Sequence, residues 1–363
     1  MNAANIYQRE TSPRLPPSDR LSFLDNIRAV AIIMVVAYHT MGYCVPLPPP
    51  YSELLTFIVY IISVPVFFLA DGYIFARSAA RSSGFDYAGY IRKSSMRLLV
   101  TWGIFTLLYT LARYSFELAG LLKEKLVIGH SLPEVALMAY GSTYAPQMYF
   151  LLSLFLIRLC SPIVRKVVRC NTPLLVPMLF LVYVVLYQST EGRLAVHLKY
   201  TAGQEPIWHA FWGMQYYLLG IACFKVSEVL DLRRLFLPVL VLFVIAVIAK
   251  DNLGVFEFSV LQYLYLLSMF LFFVFFQNQF QFLGRLGSLT MGIYLIHAPV
   301  ILKGVSLVMN RFIGNPLASF ASILSATLLI TIAVVMLINS IPHGSLLFGM
   351  PYQRKTDTKS IGN

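Results

Sequence analysis

Ten stretches of almost unbroken apolar residues run along the chain, at about 22–44, 54–76, 97–114, 147–164, 173–190, 207–225, 235–250, 258–276, 288–308 and 317–341. Most approach or exceed the roughly 20 residues that a helix needs to cross a bilayer. The seventh, LFLPVLVLFVIAVIAK, is shorter and predicts a helix that is tilted little or that extends into its flanks. A segment buried in lipid must satisfy its own backbone groups, so the pattern predicts an all-α integral membrane protein of about ten transmembrane helices. Two of the connecting loops are long, 115–146 and 191–206. The first mixes Glu117, Lys123, Glu124, Lys125, His130 and Glu134 with Pro133 and Pro146, and has room for a short helix on the surface or re-entering the protein. There is no internal repeat and no sign of a second folded domain.

The placement of charge orients this pattern. Of the 28 Lys and Arg, only Arg113, Lys123, Lys125, Arg193, Lys199, Lys250, Lys303 and Arg311 fall on the side of the long loops. The other twenty fall on the side of the N-terminus, which predicts both termini cytoplasmic. Residues 1–20 (with Arg9, Arg14 and Arg20) and 346–363 (with Arg354, Lys355 and Lys359) read as polar cytoplasmic tails around a membrane domain at 21–345. The first twenty residues carry no cleavable signal pattern. Composition agrees: 58% apolar and 12% charged residues, with a mean hydropathy of +0.72, exclude an ordinary soluble domain. The net charge of +12 then belongs to loops and anionic lipid headgroups, with no nucleic-acid partner implied. Cys44, Cys160, Cys170 and Cys223 are scattered, so neither a disulfide framework nor a metal site is expected.

The first apolar stretch, LDNIRAVAIIMVVAYHTMGYC, contains Asp25, Arg28 and His39. Arg28 and His39 are eleven residues apart, roughly three turns plus 20°, so they share one helical face about 16 Å apart. Asp25 lies one turn before Arg28, within reach of an ion pair. Ionisable groups cost roughly 2.5–3.5 kcal/mol inside a spanning helix and face protein or a wet cavity. This stripe therefore reads as a polar path from the helix start into the membrane. The bland alternative makes Asp25 and Arg28 interfacial anchors and His39 a helix–helix hydrogen bond.

Further polar residues mark other stretches. Asp71, in SVPVFFLADGYIFARS, needs a cation, either in a structural pair with Arg77 or Arg28 or in a functional role. The inner loop from Arg77 to Arg97 carries Arg77, Arg81, Arg92, Lys93 and Arg97, suited to clamping the phosphates of a cytosolic donor such as a coenzyme A thioester, or simply to topology and headgroups. Gln147 and Tyr149 open the fourth stretch at the outer interface, and His209 also reads as interfacial. Tyr294, His297 and Pro299 lie inside the ninth, where a histidine is a helix–helix hydrogen bond or a catalyst. The P-loop, nucleophile-elbow and HExxH patterns are absent, which favours a histidine base over a covalent serine or zinc mechanism.

LDNIRAVAIIMVVAYH resembles the opening LDxxRxxA…H signature of the membrane acyltransferase-3 family, the multi-pass bacterial enzymes that acylate surface glycans. VPVFFLADGYIF is similar to that family's P-x-FF-x-x-SGY block, and GIYLIHAPV to its late IYLIH block. The likeness spans about residues 20–345. Three departures stand out. Asp71 replaces the usual Ser before Gly72, Ser94 in YIRKSSMRLL stands at an expected arginine, and Gln147 stands where a histidine often opens the fourth-span block.

The resemblance implies a ten-helix acyltransferase domain in the bacterial cytoplasmic (inner) membrane. It would move an acyl group, acetyl as first choice, from cytosolic acyl-CoA to a hydroxyl of a glycan or lipid-linked saccharide. His39 would be the general base, Asp25 would orient Arg28, and Arg28, Arg77, Arg92, Lys93 and Arg97 would hold the donor. Asp71, Tyr294, His297 and Gln147 are further site candidates. No permanently bound cofactor or metal is expected, and membrane lipids and the two substrates are the partners. Two rivals use the same residues: a glycolipid or small-anion transporter, and an inactive relative acting as a partner in glycan assembly.

Overall fold

The computed structural model describes residues 21–350 except 83, 171, 173, 200–204, 250–255 and 278. The expected tail at 1–20, residues 351–363 of the expected tail at 346–363, Lys250, and the side chains of Arg193 and Lys199 lie outside the described residues. The described residues form helices without a strand.

The first three helices are α1 (Ser22–Met41), α2 (Pro49–Arg81) and α3 (Tyr87–Leu118). At 33 residues, α2 is about 50 Å long, well beyond the roughly 30 Å of a hydrocarbon core. Its basic end, with Arg77 and Arg81, runs on past the apolar stretch at 54–76. What reads in the sequence as a loop from Arg77 to Arg97 is helix on both sides of a connection at 82–86. Asp86 sets that boundary, its carboxylate accepting from the Gly89 N–H at 2.9 Å.

After the short α4 (Leu132–Tyr140) come a 3₁₀ turn (Pro146–Met148), α5 (Tyr149–Leu159) and α6 (Ser161–Val168). The fourth apolar stretch is thus two helices, parted where Pro162 takes an early helical position. α4 occupies the first long loop and buries none of its residues. Glu134 fixes its start by accepting from the Ser131 N–H and hydroxyl, both at 2.8 Å, which holds its carboxyl below the usual range. α7 (Leu175–Lys199) continues through most of the second expected loop, because helix persists past the apolar run to residue 199. α8 (Glu205–Ser227), α9 (Phe236–Ala249), α10 (Phe256–Phe275), α11 (Gln281–Ile296), α12 (Leu302–Phe312) and α13 (Pro316–Ser340) complete the bundle.

Each apolar stretch coincides with helix. Among the described residues, five segments are long and apolar enough to cross a membrane: α1, α2, α3, α13 and the joined span Phe282–Phe312. α1 sits centrally, packed on α2 and α11. Two close crossings hold this centre. A Cβ at Gly72 would lie 2.1 Å from the Tyr217 carbonyl oxygen, so α2 and α8 meet there backbone to backbone. A Cβ at Gly287 would lie 2.3 Å from the Asp25 carbonyl oxygen, fixing α11 against α1 beside the polar stripe. Such small-residue approaches suit helix packing in lipid, where apolar burial gives no drive to associate. After α13 the chain folds back: Phe348 is fully buried and rests 6.4 Å from the Phe105 ring.

Candidate active site

The polar residues of α1, α2, α3 and α5 converge at the core. Asp71 follows from the tight α2–α8 crossing, which turns this part of α2 inward. Its partner is neither Arg77 nor Arg28 but Arg158 of α5, which donates from Nε to Oδ2 at 3.1 Å and from Nη2 to Oδ1 at 2.5 Å. Arg158 also donates from Nη1 to Ser94 Oγ at 3.3 Å. The Arg158 and Asp71 side chains are only 11% and 15% exposed, so the pair is a desolvated fork rather than a surface bridge. Arg28 and Arg97 lie in the field of the same carboxylate, and Arg28 pairs with Asp25 at 3.8 Å.

Two cavities meet at this junction. One, of about 210 Å³, is lined by Asp25, Arg28, Asp71, Arg97, Arg158 and Tyr294, with Gly287 and Met350 in its wall. The other, of about 560 Å³, is lined by Asp71, Tyr90, Arg92, Lys93, Ser94, Arg97, Arg158 and Arg165 at the α2–α3 connection. Asp71, Arg97 and Arg158 belong to both. Arg165 is braced at the rim, 5.1 Å over the Phe85 ring and donating to the Ser82 carbonyl at 3.0 Å. Cations outnumber carboxylates around the two cavities taken together, six against three, with Asp86 the third acid. That excess in a partly dry site attracts an anionic ligand, and the guanidiniums match phosphate or carboxylate oxygens.

Beyond Tyr294 the ninth apolar stretch breaks. Ala298 has non-helical angles (φ −130°, ψ 156°), and residues 297–301 form a wide turn before α12. Pro299 has no N–H to offer the Leu295 carbonyl, which instead accepts from the Tyr109 hydroxyl. The Ala298 carbonyl accepts from Gln147 Nε2 at 2.5 Å, and the Gln147 carbonyl accepts from the Tyr294 hydroxyl. Side chains from α3 and the 3₁₀ turn thus satisfy the groups released by the break, as buried irregular backbone in a membrane requires. The break fixes His297 in the core, fully buried, with its ring centre 5.2 Å from that of His39.

The structure brings Asp25, Arg28, Asp71, Arg97 and Tyr294 to one cavity and Arg92, Lys93 and Arg97 to the other. It joins His39 to His297 and ties Gln147 to the break that positions them. His39 lies outside both cavities, and Arg77 lines neither. His209 is half-buried, its ring stacked on Tyr149 at 3.8 Å and Nε2 3.6 Å from Glu205. Arg158 and Arg165 are additional to the residues expected from sequence. The sequence held one signal for Arg158, that an arginine inside FLLSLFLIRL must find a partner, without saying which residue it is.

The fold and site together define a multi-pass membrane protein with a buried cationic cleft and a histidine pair one layer beyond it. A family model described as an acyltransferase domain matches residues 21–337, and the chain belongs to this acyltransferase-3 family. Comparison with curated proteins and with solved structures gave no match.

Proposed function

We propose that the protein is a membrane O-acyltransferase of the bacterial inner membrane. It would carry an acyl group, acetyl as first choice, from a cytosolic coenzyme A thioester to a hydroxyl of a cell-surface or lipid-linked glycan. The observation that carries this reading is the pair of cationic cavities that share Asp71, Arg97 and Arg158, the larger at the α2–α3 connection and the smaller reaching Tyr294, whose ring lies 6.2 Å from that of His297.

In this reading Arg92, Lys93, Arg97 and Arg158 hold the donor's phosphates, and the thioester arm extends past the Asp71–Arg158 fork towards His39. The glycan hydroxyl oxygen attacks the thioester carbonyl carbon while its proton passes to His39. The carbon–sulfur bond then breaks, and the departing thiolate recovers the proton from the His39 imidazolium. General-base assistance of this kind is worth about 10²–10⁴-fold. No resident cofactor takes part in the scheme.

The test compares surface-glycan mass in cells carrying the wild type, His39→Ala or no protein. An acyl increment found only with the wild type supports acyl transfer with His39 at its centre. An increment that survives in His39→Ala removes His39 as the base. The broken ninth helix favours a second reading, since discontinuous helices also form transporter sites. Export of glycan that depends on the protein, with no increment and no thioester consumed, would select that reading.

A further inference from the structure

His297 holds a buried nitrogen that the acyl-transfer scheme leaves unused. Its Nδ1 lies 3.0 Å from the Ile293 carbonyl oxygen and 2.9 Å from that of Tyr294. Carbonyl oxygens only accept, so Nδ1 carries the hydrogen and, in the neutral ring, Nε2 carries the lone pair. Nε2 has no hydrogen-bond partner among the described residues, and the side chain is fully buried. An orphaned buried acceptor costs about 1–3 kcal/mol, which makes such an atom a pointer to a missing donor. Two nearby donors are already engaged, the Tyr294 hydroxyl with the Gln147 carbonyl and Gln147 Nε2 with the Ala298 carbonyl. His39 is half-buried beside it, and rings centred 5.2 Å apart can bring facing nitrogens to about 3 Å by a small rotation.

We propose that His297 is the positioning residue for His39: Nε2 of His297 accepts the ring N–H of His39 and so fixes the tautomer in which the opposite nitrogen of His39 faces the acceptor hydroxyl. The chain of control runs from backbone to base. The carbonyls of Ile293 and Tyr294 fix the His297 tautomer, and His297 in turn fixes that of His39. The break at Ala298 places the second ring there, and the Gln147 and Tyr109 bonds hold the break. The proposal rests on the acyl-transfer reading for its catalytic meaning, although the hydrogen-bond relay can be measured without turnover.

Three variants of the full-length protein in detergent or lipid test it, assayed with acetyl-CoA and the glycan acceptor identified by the mass comparison. In His297→Asn the amide can still reach the Ile293 and Tyr294 carbonyls but no longer presents an acceptor at the Nε2 position. kcat is expected to fall about 100-fold, with the KM of both substrates unchanged. His297→Gln places an amide oxygen near the Nε2 position and is expected to recover most of that loss. ¹⁵N NMR of histidine-labelled protein supplies a readout independent of folding defects in these variants. His297 is expected as the Nδ1–H tautomer, with an Nε2 resonance that moves when His39 is replaced by Ala. Wild-type kcat in His297→Asn, equal losses in the Asn and Gln variants, or an Nε2 resonance indifferent to His39→Ala would each overturn the proposal. Absence of acyl transfer by the wild type would overturn the acyl-transfer reading and the catalytic role together, whereas an Nε2 shift would still establish the relay.

Discussion

The Asp71–Arg158 junction and the His39–His297 pair lie in the same core but are built in opposite ways. At the junction both carboxylate oxygens of Asp71 are engaged by one guanidinium, and the remaining arm of Arg158 reaches Ser94. At the histidines one ring is locked by two carbonyls while its other nitrogen has no partner among the described residues. Saturation produces a rigid electrostatic frame, already set for an incoming anion. An orphaned acceptor leaves room for a hydrogen to be shared or moved. In the proposed scheme the contrast separates holding a ligand from handling a proton.

The largest effect should come from breaking the frame. Asp71→Ala strands a buried guanidinium and is expected to destabilise the protein by about 3–5 kcal/mol, read as a lower unfolding temperature in detergent. Arg158→Leu alone should be similarly harmful, but the double variant should regain most of the stability while remaining impaired in donor binding. If stability in the double variant is simply additive, the fork is not a coupled unit. A smaller effect is expected from Arg97→Ala, which removes a cation common to both cavities. The KM for acyl-CoA should rise about 10–100-fold, with less change in the KM of the glycan. An equal rise for both substrates would deny the cleft its donor selectivity. The smallest effect belongs to the histidine side. Gln147→Ala frees the Ala298 carbonyl and should cost about 1–3 kcal/mol of stability, and it should lower kcat by loosening His297. Loss of stability without any change in kcat would uncouple the break from the chemistry.

The helices and one face of the site were legible in the chain. Each apolar run fell on helix, and the eleven-residue spacing put Arg28 and His39 on one face of α1, where both are half-buried. The partner of Asp71 was not legible. Arg77 is six residues away and Arg28 carries the neighbouring stripe, whereas Arg158 lies 87 residues along the chain, and local spacing says nothing about such a pair. The departures at Asp71 and Ser94 look unrelated in sequence, yet one guanidinium bonds to both. Gln147 was visible only as a substitution, because its role depends on a carbonyl 151 residues distant. Pro299 announced trouble for a continuous helix, but the site of the break also needed Tyr109 and Gln147 to make it affordable.

The break has a mechanical consequence. α11 and α12 are successive rods joined by a turn whose Ala298 has left helical geometry, so the span changes direction at this point. His297 is clamped to the last turn of α11 by its own ring, and α11 is in turn seated on α1 at Gly287. The far half of this span stays tied to the histidine by one backbone bond, the Leu302 N–H donating to the His297 carbonyl, so a shift of α12 would arrive first at the residue whose ring lies 5.2 Å from His39.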